Sequence, residues 1–174
     1  TAPNLLKYLI KHKHWSPFEM ASMTLEIKTS RAIAAQILRH RSFSFQEFSQ
    51  RYSEAQKLEP LELRKQADKN RQSSRDVFKD SQLSAQVREL LSKSLALYKK
   101  AIKKGVAKES ARLLLPLTTE TTMYMSGTVR SWVHYIDLRS KEDTQKEHRD
   151  VAESCREIFI NNFPNISIAL GWKE

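Results

Sequence analysis

Only three glycines occur in this chain of 174 residues: Gly105, Gly127 and Gly171. Folds that cradle a phosphate on a glycine-rich turn need more, at fixed spacing. Neither G-x-G-x-x-G nor G-x-x-x-x-G-K-[ST] can be found in the sequence. A Rossmann dinucleotide site and a Walker-type kinase are therefore not expected.

Hydrophobic periodicity supplies the elements. Leu5, Leu6, Leu9 and Ile10 share one stripe of a helix over Asn4–His12, which Asn4 can cap. Pro17 breaks that pattern, since the residue before a proline is pushed out of helix. Met23, Leu25 and Ile27 alternate with polar residues, as in a half-buried strand. Ser30 caps a helix to about Leu38, with Ile33, Ala34, Ile37 and Leu38 inward. Residues 57–80 are charge-dense with few apolar anchors and read as a polar excursion, a loop or a loosely packed helix.

The clearest helix runs from Leu83 to Lys104. Its apolar face is Leu83, Val87, Leu90, Leu91, Leu97, Tyr98, Ala101 and Ile102, and Gly105 is placed to end it. A short helix over Lys108–Leu115 stops at Pro116, and 118–127 is extended. Thr128–Leu138 is helical, with Val129, Trp132, Val133 and Ile136 inward, Arg130 and His134 on a neighbouring face, and Arg139 just past its end. A last amphipathic helix over Asp143–Phe163 is stopped by Pro164, leaving a short apolar tail. The length suits one domain, 1–174.

Arg39–Tyr52 is the stretch that no core requires. It sets Arg39, His40, Arg41 and Arg51 around the single carboxylate of Glu47, with Phe43, Phe45 and Phe48 between the charges. That composition suits an anionic, planar ligand. The net charge of +10 favours anionic partners but does not choose among nucleotide, nucleic acid and acidic membrane. There is no leader pattern and no long apolar run, so neither secretion nor membrane spanning is expected. Cys155 is the only cysteine, which excludes an intrachain disulfide and fits a reducing, cytoplasmic setting.

Two chemistries are set aside. His12 and His14, at i, i+2, cannot both face one metal on a regular helix, and no acid or cysteine cluster completes a set, so no metal is expected. Ser49 lacks a G-x-S-x-G elbow and reads as a donor to an anion. Arg39, Arg41, Arg51, Arg112 and Arg139 lie at element ends or on short helices. Their forked guanidinium groups match phosphate.

These residues also carry a resemblance. Arg39-His40-Arg41, then seven residues and Ser49, resembles the RHRx7S signature of the flavin-dependent thymidylate synthases. Lys11–Glu19 resembles the family's HxSPFE-type turn, and Ser49-Gln50-Arg51-Tyr52 its SxRY. Glu109–Pro116 resembles its ExAR…LP helix, and Asp137-Leu138-Arg139 with Gln145 its last motif. The motifs stand in the family's order over nearly the whole chain.

The resemblance implies an α+β fold with a central mixed or antiparallel sheet and long helices. The family has a strand and helix before its first motif, whereas this chain opens on the first helix. Either the family's N-terminal strand is lacking from the sheet or the sequence is a truncated piece. The implied reaction is reductive methylation of dUMP to dTMP, with methylenetetrahydrofolate as one-carbon donor and FAD reduced by NADPH. The implied assembly is a homotetramer with active sites between subunits.

By the same resemblance, Ser16, Arg39, His40, Arg41, Glu47, Thr128, Val129, Arg130 and His134 match FAD-contacting positions. Gln36, Ile37, Leu38, Arg39, Glu47, Phe48, Ser49, Gln50, Arg51, Arg112 and Arg139 match dUMP-contacting ones, Gln36 and Arg39 from a neighbouring subunit. Arg139 matches the activating arginine. Gln46 and Thr128 stand where the family often has Asn, and Asp143 departs from the last motif. Two rival readings remain: a basic single-strand nucleic-acid module, with the phenylalanines stacking on bases, and an inactive homologue acting as an assembly partner.

Overall fold

A computed structural model describes residues 1–55 and 57–173. The fold is α+β. Three strands, β1 (Ser22–Ser30), β2 (Ser44–Glu47) and β5 (Glu120–Thr128), form a sheet of order β1-β5-β2. Thr24 Oγ1 donates to Ser126 Oγ at 2.8 Å and Tyr124 OH to Glu26 Oε2 at 2.8 Å. As one residue number rises the partner's falls, which makes β1 and β5 antiparallel. The alternation predicted for β1 is present, with Met23, Leu25, Ile27 and Thr29 more covered than Thr24, Glu26 and Lys28.

The residues group into two compact units, Thr1–Glu26, His40–Phe45 and Tyr124–Glu174 in the first, Ile27–Arg39 and Gln46–Met123 in the second. In the first unit, α1 (Ala2–Lys11) lies on α7 (Pro164–Ala169), and α5 (Val129–Arg139) on α6 (Lys146–Asn162). The expected Asn4–His12 stripe is only half covered, and Leu5 stays exposed. Pro164 does not simply stop a helix. It is the first residue of α7, where its missing N–H costs nothing.

The core of this unit is aromatic: Trp132 and Tyr135 are buried, and Phe43 packs edge-on against both at 4.9 and 5.8 Å. Gly127 makes room for it. A Cβ there would stand 2.4 Å from Phe43 Cδ1. Trp132 Nε1 donates to Met23 O at 2.9 Å, so the largest buried ring keeps its polar atom satisfied.

In the second unit, Ser30 caps α2 (Arg31–Ile37) by accepting from Ile33 N at 3.3 Å. Asp80 caps α3 (Ser81–Lys103) in the same way, from Leu83 N at 2.8 Å. The apolar face expected of α3 is only partly buried. Tyr98 is enclosed and accepts from Ala55 N at 3.2 Å, whereas Leu90 and Leu97 are 67% and 52% exposed.

The polar excursion holds an antiparallel hairpin rather than a loop or helix. Its strands are β3 (Arg64–Gln66) and β4 (Ser74–Val77), with Arg64 opposite Val77 and a bulge before Gln66 meets Ser74. Side-chain bonds do the work of the missing apolar anchors: Arg64 Nε to Ser74 Oγ at 2.9 Å and Gln72 N to Asn70 Oδ1 at 3.0 Å. The Lys108–Leu115 helix is α4 (Lys108–Ala111) followed by a 3-10 turn over Arg112–Leu114.

Candidate active site

The second unit carries most of the residues matched to dUMP. β2 ends on Glu47, which accepts from Arg31 Nη1 at 3.1 Å and from Thr121 Oγ1 at 2.7 Å, both on Oε1. Phe48 N then donates to Thr122 O at 3.0 Å, tying the chain to β5 as it leaves the strand. The segment turns at Ser49: its Oγ accepts from Arg51 N at 3.3 Å, and its carbonyl from Tyr52 N and Ser53 N. Arg51 Nη2 donates to Glu109 Oε2 at 3.3 Å, and Arg112 Nε donates to Glu109 O at 3.3 Å. One residue of the ExAR motif thus orients two arginines.

Gln50 is the odd member. Its side chain is buried, yet Nε2 has no hydrogen-bond partner. It lines two cavities of about 250 Å³. One is walled by Phe48, Lys57, Glu120 and Thr121. The other holds Arg31, Arg112 and Pro116.

Gln36, Ile37, Leu38 and Arg39 close α2 and follow it. Ile37 is fully buried, so only its main chain is available to a ligand, while Leu38 and Arg39 are exposed. Of the three phenylalanines in the opening stretch only Phe48 is exposed. Phe43 is core and Phe45 half-buried, which leaves one ring for stacking rather than three.

The first unit carries most of the residues matched to FAD. Ser16 opens a 3-10 turn over Ser16–Glu19, and Glu19 forms an ion pair with Arg130. Thr128 caps α5, its Oγ1 accepting from Ser131 N at 3.2 Å. The Val129 side chain is buried, which again leaves only main chain. His134 is exposed with the Trp15 ring at 4.8 Å, and Arg41 is exposed.

Arg139 is the last residue of α5 rather than one past it, and its Nε donates to His40 Nε2 at 3.0 Å. Burial, helped by the Arg139 charge, lowers the His40 pKa to about 4. It is neutral at neutral pH and can accept. Behind it, Tyr135 and His148 bond at 3.2 Å, OH to Nε2. His148 is also lowered to about 4, by burial first and then by Arg139 and His40. Burial pushes the Cys155 thiol up to about 12, so it is no nucleophile at neutral pH.

Glu109, Arg31, Thr121, Trp15, Tyr135 and His148 escaped the sequence-based site list. For His148 there was a signal. It shares the stripe of Ala152, Cys155 and Phe159, and a histidine on a buried helical stripe needs a partner. Arg31 and Thr121 gave none, since their role depends on meeting Glu47 from distant positions.

Comparison with known proteins identifies the family. Residues 1–165 match the family described as "Thymidylate synthase complementing protein". A probable flavin-dependent thymidylate synthase of Paramecium bursaria Chlorella virus 1 is 57% identical over 99% of this chain and 82% of its own length. The flavin-dependent thymidylate synthase of a Synechocystis species is 55% identical over 97% of this chain and 80% of its own. The solved structure of a UMP/dUMP methylase, PolB, from Streptomyces cacaoi, bound with 5-Br dUMP, superposes with a TM-score of 0.86 at 25% identity, covering 98% of this chain and 79% of that one. Identity at this level, sustained over nearly the full chain and with the motifs in their order, means that the chain belongs to the flavin-dependent thymidylate synthase family.

Proposed function

We propose that this enzyme carries out the reductive methylation of dUMP to dTMP, with methylenetetrahydrofolate as one-carbon donor and FAD, reduced by NADPH, as cofactor. The observation that carries the nucleotide half is Gln50 Nε2, a buried donor without a partner in a cavity that also holds Arg31 and Arg112. Leaving such a donor unmet costs about 1–3 kcal/mol. An acceptor-rich anion recovers that cost, and a nucleotide phosphate also matches the two guanidinium groups. The 5-Br dUMP bound by the Streptomyces methylase supports the same ligand class.

The donors of the first unit fit a flavin. Arg41, Arg130 and His134 are exposed cationic or polar groups, and the Trp15 ring beside His134 adds a flat surface. Ser16, His40, Arg41, Arg130, His134, the Thr128 side chain and the Val129 main chain would hold FAD. When bound, FAD supplies the hydride that turns the transferred methylene into a methyl group.

The chain's own part is electrostatic. Arg139 beside the uracil edge stabilises negative charge developing at N3 and O4 and so makes C5 the better nucleophile toward the one-carbon unit. Neutral His40 accepts from Nε without cancelling that charge. No enzyme nucleophile is called for, consistent with the inert Cys155 thiol.

Exposed Leu90, Leu97, Leu113 and Leu117 in the second unit support subunit contacts, in keeping with a homotetramer whose sites lie between chains. No helix among the described residues is long and apolar enough to cross a membrane. The single reduced thiol suits a cytoplasmic setting.

The purified protein should be yellow, release FAD on denaturation, and form dTMP only when dUMP, the folate and NADPH are all present. A colourless protein that gains no flavin signal on adding FAD would overturn this function. A yellow protein without turnover would identify the inactive assembly partner instead.

A further inference from the structure

Arg139 ends its helix on a long side chain with about 2 kcal/mol of rotamer entropy to lose, so α5 alone does not aim it. What aims it is His40, which takes Nε at 3.0 Å. No hydrogen bond to either Nη group of Arg139 is present among the described residues. The bond constrains His40 as well. An imidazole accepts only at a bare nitrogen, so Nε2 must be unprotonated and Nδ1 must carry the proton.

His40 lies in the segment between α2 and β2, where no helix or strand fixes its ring. Two side chains do. Tyr135 stands edge-on to it at 4.9 Å and 85°, one helical turn before Arg139 on α5. His148, from α6, stands edge-on at 6.2 Å and 85°. Tyr135 and His148 are pinned to each other by the 3.2 Å OH to Nε2 bond, and both are almost wholly buried, at 2% and 0% exposure.

We propose that Tyr135 and His148 are positioning residues for Arg139: they wall the His40 ring into the orientation that presents its bare Nε2 to Arg139, and so hold the guanidinium with its Nη groups aimed at the substrate. The inference rests on the reading in which Arg139 activates dUMP. It adds residues that no motif of the sequence marks. The depressed basicity of both histidines agrees with it, because a protonated His40 would repel Arg139 rather than accept from it.

The test uses the FAD-loaded protein and the variants His148→Leu and Tyr135→Phe, each also built on Arg139→Ala. His148→Leu should lower kcat about tenfold, the worth of one well-placed hydrogen bond, with KM for dUMP and FAD content unchanged. Tyr135→Phe keeps the ring wall and loses only the hydroxyl, so its loss should be smaller. On the Arg139→Ala background, followed by single turnover, His148→Leu should cost nothing further. An equal loss on both backgrounds would mean a structural role only and would overturn the proposal.

A second measurement needs no turnover. In nitrogen-15 NMR of the parent, the Arg139 Nε–H should be protected from exchange with water. In His148→Leu that protection should disappear. Protection that persists would overturn the proposal whatever the activity, whereas a parent that makes no dTMP would count against the proposed reaction alone.

Discussion

In the first unit Arg139 is tied to His40 and Tyr135 to His148, and exposed Arg130 has Glu19. In the second unit Gln50 Nε2 is buried without a partner, and Arg51 and Arg112 both donate to Glu109. The contrast separates two ways of preparing a charge. A group that must act on a transition state gains from being oriented beforehand, because no reorganisation is then needed at the moment of reaction. A group that must capture a ligand gains from being left unmet, because binding then removes an existing cost.

Breaking the first arrangement should give the largest effect. Arg139→Ala should lower dTMP formation on the order of 10²–10³-fold, with FAD content, much of the dUMP affinity and Tm retained. Single-turnover kinetics and thermal melts check this. Parent-like turnover would remove the activating role.

Gln50→Leu sharpens the second arrangement through opposite signs. Affinity for dUMP should fall by about 1–3 kcal/mol, while the ligand-free protein becomes slightly more stable because an unmet buried donor has gone. Calorimetry with dUMP and with deoxyuridine separates phosphate from base. Loss for deoxyuridine as well would place Gln50 away from the phosphate.

Gly127→Ala probes the aromatic core under the first arrangement. The added Cβ meets Phe43, so unfolding free energy should fall by about 1–3 kcal/mol, with Tm lower by several degrees. An unchanged Tm would mean that Phe43 has room to move.

Acid should also distinguish the units. His40 and His148 have pKa values lowered from 6.5 to about 4, so the unfolded chain binds their protons first as pH falls. Their contribution is complete above pH 6.5, declines between 6.5 and about 4, and is level below. Tm measured across that window should drop, and His148→Asn should flatten the slope. The smallest effect belongs to the exposed pair of the second unit: Glu109→Gln should change stability by less than about 1 kcal/mol.

Much of the fold was legible because it follows from local rules. The cap at Ser30 and the alternation in β1 stand where spacing put them. The hairpin at Arg64–Val77 was not legible, because its strands are tied by polar side chains and carry no apolar alternation. Leu90 and Leu97 show the converse. Their periodicity marks a helix face but does not say that this chain covers it.

The sequence alone determined the longer helices, the alternating strand β1, the absence of a glycine-loop motif and, through its ordered motifs, the family. Periodicity and motif spacing are properties of neighbouring residues, so they survive without the fold. Tertiary structure decided which groups meet. Glu47 gathers Arg31 and Thr121 from 16 and 74 residues away, and Arg139 finds His40 across 99. It also turned Phe43 from a candidate stacking ring into core, and brought His148 up to the His40 ring. Burial and hydrogen-bond partnership belong to groups brought together by folding, and no local pattern encodes them.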